Sequence, residues 1–259
     1  MVDFILSLPL VAGGIISMVL ATVVGLTVYF VFHKFIDRYK HGDLRDSTSS
    51  LFRVIGMLVS LMLSLAFAEV AIDMRMVENS VGREAIAISD MFHDLQRFDI
   101  EGTRGLQVLL IEYTQAVVDD DWPALARDEL GQRAEELRIT IETEVLALQP
   151  ISSDQEVILS RLIADVDVVS DYRLIRLDNA LSEPPIYLFS IYVGFLITMA
   201  CFGAYRPQIP LVVLVSLYTL FVGLVLYLIL SLSDPYQGGT GVDPSTFEHL
   251  ADVLRSRLT

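Results

Sequence analysis

Residues 51–95 read LFRVIGMLVSLMLSLAFAEVAIDMRMVENSVGREAIAISDMFHDL, a stretch that changes solvent halfway along without changing its period. From Leu51 to about Ile72 it is apolar except for Arg53 and Glu69. Its uncharged core, Val54 to Ala68, is shorter than the ~20 residues that cross a bilayer, so spanning requires Arg53 to snorkel and Glu69 to lie at or below an interface. Beyond it, Val77, Val81, Ala85, Ile88, Phe92 and Leu95 fall at helical spacing and form one apolar stripe. A single helix is therefore expected to leave lipid and continue as one wall of a water-soluble helical domain.

The flanking sequence supplies more lipid-facing helices. No charge occurs between Phe4 and Phe32, which predicts a first span, and the absence of a preceding Lys or Arg makes it an anchor rather than a cleaved signal. Pro184 to Tyr205 and Pro207 to Ser233 are uncharged and separated by Arg206, a helical hairpin of third and fourth spans. Tyr187, Tyr192, Tyr205, Tyr218 and Tyr227 recur through it, and those near its ends suit an interfacial belt. A hydrophobic content of 53% with 20% charged residues and a mean hydropathy of +0.55 agrees with a membrane protein.

The net charge is −15 with a pI near 4.5, which argues against nucleic acid as a partner. Glu69 to Glu183 holds 10 arginines and 25 acidic residues, a net of −15 that equals the whole chain's. Both lysines, Lys34 and Lys40, lie with Arg38, Arg45 and Arg53 in the loop 33–53. By the preference of Lys and Arg in short loops for the cytoplasm, that loop and the Arg206 turn are expected inside, with residues 73–183 and both termini outside.

Within 73–183 three further stripes follow the first: Leu106, Leu109, Leu110, Tyr113 and Val117; Leu130, Ala134, Leu137, Ile141, Val145 and Leu148; and Leu159, Leu162, Val166, Val169, Leu177 and Leu181. Ser152, Ser153 and Asp154 offer an N-cap for the last. The expected fold is an all-α membrane protein. Residues 1–72 and 184–233 supply four transmembrane helices, and 73–183 form an acidic four-helix bundle between the second and third. Residues 234–259 form a Gly/Pro-rich tail ending in a short amphipathic helix, opened by a Ser245 to Glu248 capping box.

Little points to chemistry. The single Cys201 forms no intrachain disulfide, and His33, His41, His93 and His249 share no ligand spacing. Phosphate loops and hydrolase motifs are missing, so no enzyme, cofactor or metal site is expected. Asp119, Asp120 and Asp121 lack an EF-hand register and are read as favouring the start of a helix at Trp122 and Pro123. Gly56, Ser60, Ser64 and Ala68 recur every fourth residue in the second span, with Glu69 and Asp73 beyond them. Such a face serves close helix packing or the wall of a polar pathway, and Glu69 adds an expensive intramembrane carboxylate to the second reading.

Assembled in this order, the chain resembles the bacterial bestrophin-like membrane protein family, four-span proteins. The likeness rests on Gly56 and Leu65-Ala66-Phe67 in the second span and on Trp122-Pro123-Ala124-Leu125-Ala126 in the centre. A Pro-aromatic-x-Gly then Val-x-Pro-x-x-Phe tail completes it, here Pro235-Tyr236-Gln237-Gly238 and Val242-Asp243-Pro244-Ser245-Thr246-Phe247. The chain departs from the family pattern at Ser233-Asp234, where the family has Asp-Arg, and at Glu69, where it has an apolar residue. True bestrophins are pentameric anion channels gated by cytoplasmic calcium, and the similarity to them is one of span order. The resemblance implies a homo-oligomeric channel in a bacterial inner membrane, in contact with lipid and small ions, and the small polar face with its neighbouring carboxylates makes Gly56, Ser60, Ser64, Glu69 and Asp73 the pore-lining candidates. An acidic vestibule favours cations. Two rivals share the layout: a non-conducting envelope protein whose bundle binds a partner or senses stress, and a stator-like proton-path subunit.

Overall fold

The computed structural model describes residues 9–39, 45–99, 102–127, 129–180, 188–236 and 241–258. They form α1 (Leu10–Tyr39), α2 (Arg45–Phe98), α3 (Arg104–Ala116), a π-helical turn (Val117–Asp121), α4 (Trp122–Leu125), α5 (Gln132–Leu146), α6 (Ser153–Ala180), α7 (Leu188–Phe202), α8 (Ile209–Leu232) and α9 (Ser245–Leu258). No strand occurs among the described residues. Two compact units result, Met1–Ile72 with Glu183–Gly241 and Asp73–Ser182 with Val242–Thr259. The tail thus divides, residues 242–259 joining the second unit.

In the first unit α1, α8 and the apolar part of α2 are long and apolar enough to cross a membrane, whereas α7 is shorter. Phe4 and residues 184–187, expected in the first and third spans, lie outside the described residues. The helices run further into the loop 33–53 than expected, α1 reaching Tyr39 and α2 starting at Arg45. Leu63, Ala66 and Val70 of α2 join Ile191, Phe195 and Met199 of α7 and Val215, Val222 and Ile229 of α8 in one core. Small residues let α1 lie against α8: a Cβ on Gly223 would stand 2.7 Å from the Ala21 Cβ, and one on Gly25 2.5 Å from the Thr219 methyl. Thr219 donates to Thr22 Oγ1 at 3.1 Å across the same seam. The α7–α8 turn is pinned by His33 Nδ1 at 3.0 Å from the Gly203 carbonyl and by the Tyr29 hydroxyl at 3.3 Å from that of Tyr205. Val19 and Val23 of α1, Phe189 of α7, and Leu214 and Phe221 of α8 stay exposed, as a lipid-facing surface requires.

In the second unit the first stripe is buried throughout, Val77, Val81, Ala85, Ile88, Phe92 and Leu95 each keeping 7% exposure or less. The later stripes supply Leu106, Leu110, Tyr113 and Val117, then Ala134, Ile141 and Val145, then Leu162, Val166 and Val169. Leu130 is exposed because α5 begins only at Gln132, and Leu181 lies outside the described residues. α6 opens with a reciprocal cap: Ser152 Oγ accepts the Gln155 amide at 3.3 Å and Gln155 Oε1 accepts that of Ile151 at 2.8 Å. At α9 the expected Ser245–Glu248 box gives way to Asp243, whose carboxylate accepts the Ser245 amide at 3.0 Å.

Candidate functional site

α2 presents two faces in the membrane unit. Val59, Leu63, Ala66 and Val70 point into the core, and a Cβ on Gly194 of α7 would collide with Val59 Cγ2. The other face carries Ser60, Ser64, Phe67 and Ala68, all exposed, and a Cβ on Gly56 would meet nothing within 4 Å. The close-packing glycines of this unit are thus Gly13, Gly25, Gly194, Gly203 and Gly223, and the Gly56–Ser60–Ser64 face is left uncovered by the described residues of its own chain. Glycine in a helix interior costs ~0.5–1 kcal/mol relative to alanine, so an uncovered Gly56 has no packing reason within the monomer.

Helical geometry distributes the five pathway candidates over two faces. Advancing ~100° per residue, α2 keeps Gly56, Ser60 and Ser64 within about 80° of one another. Glu69 lies nine residues beyond Ser60 and is turned about 180° from it, and Asp73, thirteen residues beyond, is turned about 140° from it on the opposite side. Both are accessible, Glu69 exposed and Asp73 half-buried. They do not continue the serine face, because five residues from Ser64 to Glu69 overshoot one helical turn by about 140°.

The second unit holds a feature that sequence reasoning missed. Arg176 of α6 is fully buried and lies 3.0 Å through Nε from Glu84 Oε2 and 3.0 Å through Nη2 from Asp121 Oδ2. Glu84 and Asp121 are also fully buried. One turn earlier on α6, Arg173 bonds Asp121 Oδ1 at 3.1 Å and Glu135 Oε2 at 2.7 Å. Arg138 extends the series, holding Glu135 at 2.8 Å and Glu142 at 3.0 Å. Charges alternate along the chain Glu84, Arg176, Asp121, Arg173, Glu135, Arg138, Glu142, so each buried ion has an opposite neighbour, as burial demands. The hydroxyl of Tyr113 completes it by donating to Glu84 at 2.6 Å.

The π-helical turn places Asp121. Its wider winding shifts the register between α3 and α4 and brings the Asp121 carboxylate inward. α4 does begin at Trp122 with Pro123 in its first turn, as the helix-start reading of the three aspartates expects, but it has no side-chain cap bond and Asp121 is turned to the guanidiniums instead. Asp120 caps a different helix, accepting the Arg133 amide of α5 at 2.9 Å. Burial, then the adjoining Glu84 carboxylate, push the Tyr113 phenol well above its ordinary range. The hydrogen bond from Arg138 lowers Glu135 against the opposing effect of its burial, and the charge of Arg173 adds to the lowering.

The tail closes this network. Phe247 of α9 is fully buried with its ring centroid 5.9 Å from that of Trp122, and the Arg176 guanidinium stands 5.4 Å from the Trp122 ring and 5.9 Å from the Phe247 ring. Trp122 Nε1 donates to the Val242 carbonyl at 3.2 Å. The sequence pattern residues Trp122, Val242 and Phe247 are thus brought together. Pro123 stands in the first turn of α4 and Pro244 directly before α9. Pro235 and Tyr236 are buried in the first unit, and Gly238 lies outside the described residues. A signal for the missed residues did exist: Glu84 falls between Val81 and Ile88, and Arg173 and Arg176 extend the Val166–Val169 series at spacings of four and three. Charges on an apolar stripe announce buried partners. Among the described residues no group of His, Cys, Asp and Glu could hold a metal ion.

A family model described as a Bestrophin-like domain matches residues 19–247. No curated protein matches the chain. Among solved structures, a point-mutant form of a bacterial bestrophin homologue from Klebsiella pneumoniae superposes with a TM-score of 0.66 at 13% identity, covering 94% of this chain and 97% of that one. A structure described as a membrane protein reaches a TM-score of 0.71 at 13% identity over 94% and 98% of the two chains. A further Klebsiella pneumoniae bestrophin homologue gives 0.65 at 12% identity over 94% and 98%. At these identities the likeness shows the fold, while the family model spans most of the sequence: the chain is an all-α membrane protein and belongs to the bestrophin-like family.

Proposed function

We propose that the protein assembles as a homo-oligomer in a bacterial inner membrane and passes small ions along an axis lined by the Gly56–Ser60–Ser64 face of α2. The observation that carries the reading is that no described residue of the chain covers this face, while every close-packing glycine of the unit lies elsewhere. Copies of α2 set around an axis would cover it, and the serine hydroxyls would then offer oxygen to a passing ion. Phe67, the largest side chain on that face, would set a narrow apolar ring where a pathway can dewet and close. Glu69 and Asp73, turned away from the serines, would face lipid or a neighbouring copy. The four spans would place the Arg206 turn and the loop 33–53 in the cytoplasm and residues 73–183 outside, where the bundle's acidity enriches cations.

The test is ion flux into liposomes holding the purified oligomer. Wild type should pass ions, Ser64→Leu should abolish passage, Phe67→Ala should raise it, and Glu69→Gln should leave selectivity unchanged. A folded oligomer that passes nothing refutes conduction. Altered selectivity in Glu69→Gln refutes the assignment of faces.

A further inference from the structure

At the far end of the second unit α2 and α6 enclose a solvent-open cleft of about 510 Å³ lined by Asp90, His93, Asp94 and Arg97 of α2 and Arg161, Ala164 and Asp165 of α6. Its carboxylates are unequally partnered. Asp94, nearly buried, takes both guanidiniums, Arg97 at 3.1 Å on Oδ1 and Arg161 at 3.5 Å on Oδ2. Asp90 and Asp165 have no ion pair among the described residues, and Asp165 is half-buried in the same cleft as both other carboxylates, whose charges act on it. Burial first, then Asp90 and Asp94, push Asp165 up to about 6, with Arg161 opposing. His93 ties a third helix to the rim: its Nδ1 donates to the Ser89 carbonyl at 2.7 Å, which leaves Nε2 to accept from Arg257 of α9.

We propose that this cleft is a proton-operated clasp between α2 and α6, closed when Asp165 is protonated and able to donate to the carboxylates opposite, and loosened when three carboxylates face one another. The groups that set its response are Asp90, His93, Asp94 and Arg97 on α2, Arg161 and Asp165 on α6, and Arg257 reaching His93 from α9. Asp165 titrates higher in the closed seam than in an opened one, so the closed form binds the extra proton. The added stability is complete below the ordinary carboxyl range, near 3.8, and is lost as pH rises through about 6. The consequence belongs to the bundle alone and stands whether or not the membrane unit conducts.

Hydrogen exchange on the full-length protein in lipid nanodiscs tests this. Between about pH 7.5 and about pH 5, amide protection in residues 90–97 and 161–168, corrected for intrinsic exchange, should rise three- to tenfold, the lower figure allowing for solvent screening at a half-exposed group. Asp165→Asn should hold the protected state at both pH values. Direct titration of the Asp165 carboxyl by carbon NMR should give a midpoint near 6, and this measurement needs no variant. A midpoint in the ordinary carboxyl range, or protection that responds to pH equally in wild type and Asp165→Asn, overturns the proposal.

Discussion

Removing Arg176 should destabilise the bundle more than any surface change, and the structure says by how much. The guanidinium is the ion partner of Glu84, at 3.0 Å, and shares Asp121 with Arg173. In Arg176→Met the Asp121 carboxylate keeps Arg173, but Glu84, fully buried, keeps the Tyr113 hydroxyl and no cation. Leaving one buried charge uncompensated costs ~3–5 kcal/mol. For a unit of this size that is a fall of about 10–15 °C in the unfolding midpoint. Replacing both ions, in Arg176→Met with Glu84→Met, removes the uncompensated charge and should recover about 2 kcal/mol or more, because an apolar pair of similar volume is close to neutral. Tyr113→Phe added to that pair should recover a further ~1 kcal/mol, the stranded hydroxyl being gone. Trp122 is the only tryptophan and stands 5.4 Å from the guanidinium, so its fluorescence reports local and global unfolding of this unit in detergent. If Arg176→Met melts with the wild type, or if the double substitution is no more stable than the single one, the buried network does not hold the bundle in the manner described.

Other consequences are separable. Phe247→Ala should lower stability by ~3–4 kcal/mol and shift Trp122 emission to the red, since the tail ring that shields the indole is lost; an unshifted spectrum would deny the contact. Two glycine substitutions should differ in sign: Gly194→Ala drives a methyl into Val59 and should destabilise the membrane unit, whereas Gly56→Ala meets open space and should stabilise α2 by ~0.5–1 kcal/mol in the dissociated monomer. Equal effects in monomeric protein would remove the basis for calling that face uncovered. For orientation, Cys201 is buried, so cysteine introduced at the exposed Ser152 gives a single reactive site. Intact cells should label there with a membrane-impermeant thiol reagent, and labelling only after the membrane is opened would place the bundle in the cytoplasm.

What could be read from the sequence divides along a physical line. Each apolar stripe declares its own helix, because burial of Val77, Val81, Ile88 and Leu95 depends only on which side of one helix is apolar. Partnership between stripes is another matter. Glu84 and Arg176 are 92 positions apart, and Asp121 and Arg176 are 55 apart, so no local period links them. Their charges also enter the bundle's net acidity with the same weight as exposed ones, which concealed three arginines, Arg138, Arg173 and Arg176, neutralising carboxylates inside the unit. The aspartate run shows the same limit at shorter range: Asp119, Asp120 and Asp121 are equivalent in composition, yet the π-helical turn leaves Asp119 exposed, aims Asp120 at the α5 amides and buries Asp121 beside two guanidiniums. One extra residue in the winding makes that separation, and no propensity of Val117 or Val118 announces it.

The small-residue face raises the opposite problem, since its spacing was plain and its purpose was not. Spacing alone suits close packing and a polar wall equally, because both want small side chains every fourth residue. The difference lies in what stands opposite. Gly25, Gly194 and Gly223 each have a partner atom where a Cβ would go, and Gly56 has none. A membrane helix that keeps an unpacked glycine and two exposed serines has given up helix propensity and lipid contact without return inside its own chain. Under the proposed assembly the return comes from outside the chain, a second copy of the same face covering Gly56, Ser60 and Ser64, and an isolated monomer that is as stable with Gly56 as with alanine there would argue against it.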